Sequence, residues 1–128
     1  MLSFNSATGE FDRDGTWEGV GYSGYAAGRN NPAMEAVHSI GPVPRGLYIV
    51  TRCDPDEHPN LAMPVFRLTP DGWDALGRVG LLIHGDSVQH PGQASHGCII
   101  LGHSLRQSID LDVISAERDG IRCRLQVV

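Results

Sequence analysis

Sixteen glycines and eight prolines punctuate this chain of 128 residues so closely that little room is left for long helices. In a helix interior glycine costs about 1 kcal/mol relative to alanine and proline about 3, whereas both suit the turns between short strands. "LSFNS" and "GEFDRDG" can pair as an opening hairpin around "SATG", and "TWEGVGYSGYAAG" begins strand-like before turning glycine-rich. "GPVPRGLYIVTRC" sets a proline-stiffened turn ahead of a β-branched and aromatic strand at about 46–52. "AMPVFRLTP", "RVGLLIH", "CIILG" and the alternating "GIRCRLQVV" read as further strands. Two segments carry helical signals. "NNPAMEAVHSI" offers Asn31 as an N-cap with Pro32 at the first helical position, and "HSLRQSIDLDVISAE" has helical periodicity. The expectation is one mainly β domain over residues 1–128, a β-sandwich or open barrel with one or two short helices.

Charge and composition exclude several function classes. The net charge is −5 and the ten lysines and arginines are scattered, so no nucleic-acid partner is expected. No apolar run approaches the roughly 20 residues of a membrane span. "MLSFNSATGEFDRDG" has neither a basic nor an apolar leader segment, so no secretory signal is expected. Cys53, Cys98 and Cys123 form no closed disulfide framework and no CxxC pair. Cys53 and Cys123 are expected to be buried, reduced thiols; the alternative is a bridge between them that leaves Cys98 free.

Chemistry concentrates in "LLIHGDSVQHPGQASHGCIIL", residues 81–101. His84 ends an apolar run, where a strand delivers a side chain to a loop rim. Cys98 follows Gly97, and glycine permits a tight turn that can present a thiol and aim backbone N–H groups at one point. A cysteine nucleophile needs a base nearby, because the thiolate is the reactive form, and converging N–H groups can hold an oxyanion. His84, Gly97 and Cys98 together therefore outline an acyl-transfer site. His90, beside Pro91, reads as solvated loop. His84, His90, His96 and Cys98 are all residue types that zinc accepts, but their spacings match no strong zinc pattern, and no metal is expected.

His84 followed by "SHGCI" at 95–99 resembles the signature of L,D-transpeptidases, cysteine enzymes that remodel bacterial peptidoglycan. The upstream run "GYSGYAAGRNNPAMEAVHSIGPVPRGLYIV", together with "FNSATGEF", resembles a smaller group within that family. These are the L,D-transpeptidase-like effectors that type VI secretion systems deliver into competing bacteria. The wider family carries Asn two residues after the cysteine, where this chain has Ile100, and a longer loop than residues 85–94. Both departures point to the effector group.

The resemblance implies an L,D-transpeptidase-like fold and a Cys98 nucleophile with His84 as base. It implies an L,D-carboxypeptidase, transpeptidase or D-amino-acid-exchange activity on tetrapeptide stems. The third group, which holds the imidazole, is open among Ser95, Asp86 and the Gly85 carbonyl. Gly97 and His96 belong to the oxyanion turn, with His96 expected to shape it. Tyr22, Ser23, Gly24, Asp86 and Arg106 are candidates for lining the cleft or binding substrate. No cofactor is implied. The expected partners are peptide stems, a cognate immunity protein and a secretion-system component. The protein is expected to be a monomer, made in the cytoplasm and acting in the target-cell periplasm. The alternatives are a non-catalytic peptidoglycan-binding module on the same fold and, less favoured by the spacings, a zinc hydrolase.

Overall fold

A computed structural model describes residues 1–128. The strands are β1 (Leu2–Phe4), β2 (Glu10–Arg13), β3 (Thr16–Val20), β4 (Tyr22–Ser23), β5 (Gly46–Arg52), β6 (Phe66–Pro70), β7 (Leu82–His84), β8 (Ile99–Ile100) and β9 (Cys123–Val127). One helix, α1 (His103–Arg118), separates β8 from β9. The strands form a single sheet in the order β3-β2-β1-β9-β5-β6-β7-β8-β4. Pairing is antiparallel except at β1–β9 and β7–β8.

The two outermost strands, β3 and β4, are consecutive in the chain and joined by Gly21 alone. The sheet therefore curls until its ends nearly meet, giving a mainly β, nearly closed barrel. At the seam a Cβ on Gly21 would lie 1.9 Å from the carbonyl oxygen of Ile100, so only glycine lets the chain cross there.

Phe4, Phe11, Tyr48, Phe66, Ile83 and Leu125 fill the interior with little or no exposure. The α1 helix closes the core with Ile109, Val113 and Ala116, spaced to lie on one face. Removing a side chain the size of Ile109 from water contributes about 2 kcal/mol. Tyr48 keeps its hydroxyl satisfied by donating to Pro44 O at 2.6 Å, and Trp73 meets its ring edge-on at 5.6 Å.

The hairpin, the 46–52 strand and the second helical segment agree with the sequence reading. The segment "NNPAMEAVHSI" does not: it forms a single 3-10 turn, Pro32–Met34, followed by irregular turns. Asn31 does not cap it with its side chain, which donates instead to Ala27 O at 3.1 Å. The physical reason is competition for carbonyls. Glu35 O, Gly41 O and Pro42 O accept from the buried guanidinium of Arg78, so Glu35 O is taken by a side chain rather than by a helical N–H. Ser39, with φ at +65°, also leaves helical geometry.

All three cysteines are free thiols. Val50 pairs with Cys123 across β5–β9, and Cys53 lies three residues farther along β5's end. At about 3.3 Å per residue that offset puts the Cα atoms beyond the roughly 7 Å limit for a disulfide. No Cys53–Cys123 bridge can close.

Candidate active site

Parallel pairing of β7 and β8 sets Ile83 beside Ile99 and His84 beside Ile100. Ile83 and Ile99 belong to the main core. Alternation along a strand then puts Leu82, His84, Cys98 and Ile100 together on the opposite face. Cys98 is accordingly found in a small apolar cluster with Leu82, Val65 and Cys53. It stands level with Leu82, a diagonal step from His84, a relation that separates Cβ atoms by about 7 Å.

The imidazole of His84 is buried, and its Nδ1 lies 2.8 Å from Gly85 O. A carbonyl can only accept, so Nδ1 carries the hydrogen and Nε2 is left as the basic nitrogen. Burial holds the imidazole below its ordinary pKa, with the charges of Arg106 and His58 acting the same way; Gly85 O and Asp86 oppose them. His84 is a neutral base at pH 7. Of the candidates for the third group, the Gly85 carbonyl is the one hydrogen-bonded to the ring.

Cys98 is partly buried, and its Sγ reaches Gly80 O at 3.7 Å. Burial pushes the thiol above its usual range, against the pull of the Leu82 backbone and the positive charge of Arg78. The resting thiol is therefore protonated. It has no hydrogen bond to His84, and a rotation about χ1 is the motion available to swing Sγ between neighbours.

Gly97 has φ at +139°, and a Cβ there would lie 2.3 Å from Arg78 Nη2. Ser95 locks the turn from inside. Its Oγ donates to Cys98 O at 2.5 Å and accepts from Gly24 N at 2.8 Å and Gly97 N at 3.2 Å. Ser23 Oγ donates to Gly97 O and accepts from Val43 N, while the Ser23 amide donates to Asn30 Oδ1. Ser23, Gly24 and Ser95 thus form the bed beneath the turn that carries Cys98. His96 faces outward: its ring stacks on Tyr25 with centroids 5.0 Å apart, and Nδ1 lies 3.0 Å from Ser39 O.

Tyr22 and Asp86 organise the loop between β7 and Ser95. The Tyr22 hydroxyl donates to Asp86 Oδ1 at 2.7 Å and accepts from Ala94 N at 2.9 Å. Asp86 also accepts from Ser87 N and Gly92 N. Burial, reinforced by the bond to Asp86, pushes the phenol up to about 12. Arg29 covers the Tyr22 ring at 4.4 Å. His90 is exposed on the same loop, and its ring makes no hydrogen bond.

A hollow of about 670 Å³ opens on His84, Gly85, Asp86, Ala94 and Arg106. Arg106 is buried beside it, with Nε donating to Leu101 O and Nη1 to Ala62 O and Pro64 O. Its Nη2 lies against Gly85, where a Cβ would be 2.7 Å away, and has no protein acceptor. Ile100 is buried between β7 and β4, opposite His84 on one side and Tyr22 on the other. Sequence reasoning missed Arg29 and Arg78. Each lies outside the histidine–cysteine stretch and acts on it only through the fold. No group of His, Cys, Asp and Glu side chains is arranged to hold a metal ion.

A family model, that of the Tlde1 domain, matches residues 18–119, from β3 through α1. No curated protein and no solved structure gives a significant match. The matched span contains every residue of the site just described. The chain belongs to the Tlde1-domain family of type VI secretion L,D-transpeptidase effectors.

Proposed function

We propose that the protein is a peptidoglycan-modifying cysteine enzyme that acts on tetrapeptide stems through a Cys98 thioester. The observation that carries this reading is the parallel β7–β8 pairing, which puts His84 and Cys98 on one face while Gly85 O leaves Nε2 basic. Substrate binding draws Sγ toward Nε2, which takes the thiol proton as sulfur attacks the carbonyl carbon at the L-centre of the third stem residue. The Cys98 amide N–H is the donor this reading assigns to the resulting oxyanion. The intermediate collapses with cleavage of the carbon–nitrogen bond, and the imidazolium returns its proton to the departing D-alanine amine. Water or an incoming amine then attacks the thioester, giving up a proton to His84, and the sulfur leaves to recover it.

Arg106 supports the choice of an anionic stem. A guanidinium edge without a protein acceptor, beside His84 in a hollow of about 670 Å³, suits a carboxylate of the peptide. Such a protein would act in the target-cell periplasm after export by a secretion machine, as a monomer, with an immunity protein to protect the producer. Incubating the purified chain with disaccharide tetrapeptide, with and without a D-amino acid, tests the chemistry. Loss of the terminal D-alanine or its exchange, absent in Cys98→Ala, is the expected result. Unchanged tetrapeptide, or equal turnover by the variant, would sink the reading.

The protonated, partly buried thiol favours one competing reading, a stem-binding module without catalysis. That reading predicts tetrapeptide binding by wild type and Cys98→Ala alike, with no product from either.

A further inference from the structure

Arg78 and Arg106 are both buried, and neither is ion-paired with a carboxylate. Arg78 makes four hydrogen bonds, all to backbone carbonyls: Glu35 O at 2.7 Å, His96 O at 3.0 Å, Gly41 O at 3.1 Å and Pro42 O at 3.3 Å. Carbonyl dipoles orient a cation without neutralising it, and a buried charge left in that state is costly. The position of this charge is specific. Nη2 presses on the turn of the nucleophile, 2.3 Å from where a Gly97 Cβ would stand. Arg106 has the matching position on the other side, against Gly85 and beside His84. One cation thus adjoins the group that is to become negative, and the other adjoins the group that is to stay neutral at rest.

We infer that Arg78 is a positioning residue for the nucleophile: its unneutralised guanidinium ties the 95–98 turn to the 35–42 loop and stabilises the negative charge that forms at Cys98 when its proton leaves. The inference rests on reading Cys98 as the nucleophile. It explains why the cost of burying Arg78 is tolerated, since the charge finds its counter-ion only as the thiolate or oxyanion appears. It also gives a reason for the irregular path of residues 35–42, whose free carbonyls are the seat of the cation.

Other groups around Cys98 do not supply this charge. His84, on β7, is held neutral at rest, and His96 faces outward onto Tyr25 and Ser39. His58, Arg67 and Asp74 line a hollow of about 430 Å³ that borders Gly80 and Leu82. Arg67 there is half exposed and paired with Glu57. Cys53 shares the small apolar cluster, and burial pushes its thiol up.

The test is iodoacetamide alkylation of the full chain across a pH series, resolved by peptide mass spectrometry, with no peptidoglycan present. Arg78→Gln and Arg78→Met remove the charge, and Arg78→Lys keeps it while losing the fork of donors. The expected result is that the Cys98 profile moves up by about one pH unit in the Gln and Met variants, a roughly tenfold slower reaction below the midpoint, with Lys within about threefold of wild type. A merely structural role has the opposite sign. Loosening the turn would expose the apolar cluster and speed alkylation of Cys98 and Cys53 together. Should Arg78→Met fail to fold, the Gln–Lys comparison decides alone. Equal profiles for Gln and wild type, equal slowing in Gln and Lys, or faster labelling of both cysteines overturns the inference. Because alkylation needs no substrate, a protein inactive on stems can still satisfy this test, and an active one can fail it.

Discussion

The hydroxyl of Ser95 joins the carbonyl of Cys98 to the amide of Gly24, so one side chain ties the 95–98 turn to the glycine-rich loop after β4. Three backbone groups depend on it, counting the Gly97 amide. Ser95→Ala strands them in an interior that water does not reach. A stability loss of about 2 kcal/mol is expected in urea unfolding, and turnover of tetrapeptide should fall with it. Ser87→Ala is the comparison: its Oγ serves only the His90 amide near the surface, and its loss should cost well under 1 kcal/mol.

His84 makes stability depend on pH in a definite direction. Its folded pKa lies below the ordinary 6.5, so just under pH 6.5 the unfolded chain binds a proton that the folded chain refuses. Stability contributed by the neutral ring is fully present above pH 6.5 and is lost as pH falls toward the folded value. In His84→Gln the slope over that window should be shallower than in wild type, measured by urea midpoints between pH 7 and 5. The same variant should lose about 10³-fold in stem turnover, the range of a missing general base.

Gly97 is constrained twice, by its φ of +139° and by Arg78 Nη2. Gly97→Ala should cost at least about 2 kcal/mol and abolish turnover. Gly102→Ala, where a Cβ meets nothing within 4 Å, should stay near wild type in both assays.

Ile100 occupies the position where the wider L,D-transpeptidase pattern has asparagine, and it is 3% exposed. Ile100→Asn would place an amide between β7 and β4 with no partner provided. A loss of about 3 kcal/mol is expected from thermal and urea melts. A fully stable Asn variant would show that β8 can supply hydrogen bonds that the native packing hides.

The sheet was largely legible because period-two alternation and turn residues are local signals. "GLYIVTR" and "CRLQV" announce β5 and β9 by composition alone. The helical reading of "NNPAMEAVHSI" failed because the competitor for its Glu35 carbonyl, Arg78, lies far along the chain. In the candidate site, "SHGC" and His84 come close because the strands they adjoin, β7 and β8, are neighbours in the sheet. The role of Asp86 was not legible as a loop organiser, because its partner Tyr22 is 64 residues away in the chain and arrives only through the pairing of β4 with β8. Nor could the sequence show that Ser95 would spend its hydrogen bonds on backbone, which depends on the seam at Gly21 bringing Gly24 alongside.

The family match ends at residue 119, yet β9 begins at Cys123 and lies between β1 and β5 in the sheet. A fragment cut to residues 18–119 would lose its central strand and the hairpin beyond it. The long edge of β5, with the backbone of Tyr48 and Val50 unpaired, would then face solvent as a template for strand addition. Such a fragment should aggregate rather than fold. The matched span holds the candidate site, and the two ends outside it complete the sheet on which that site is built.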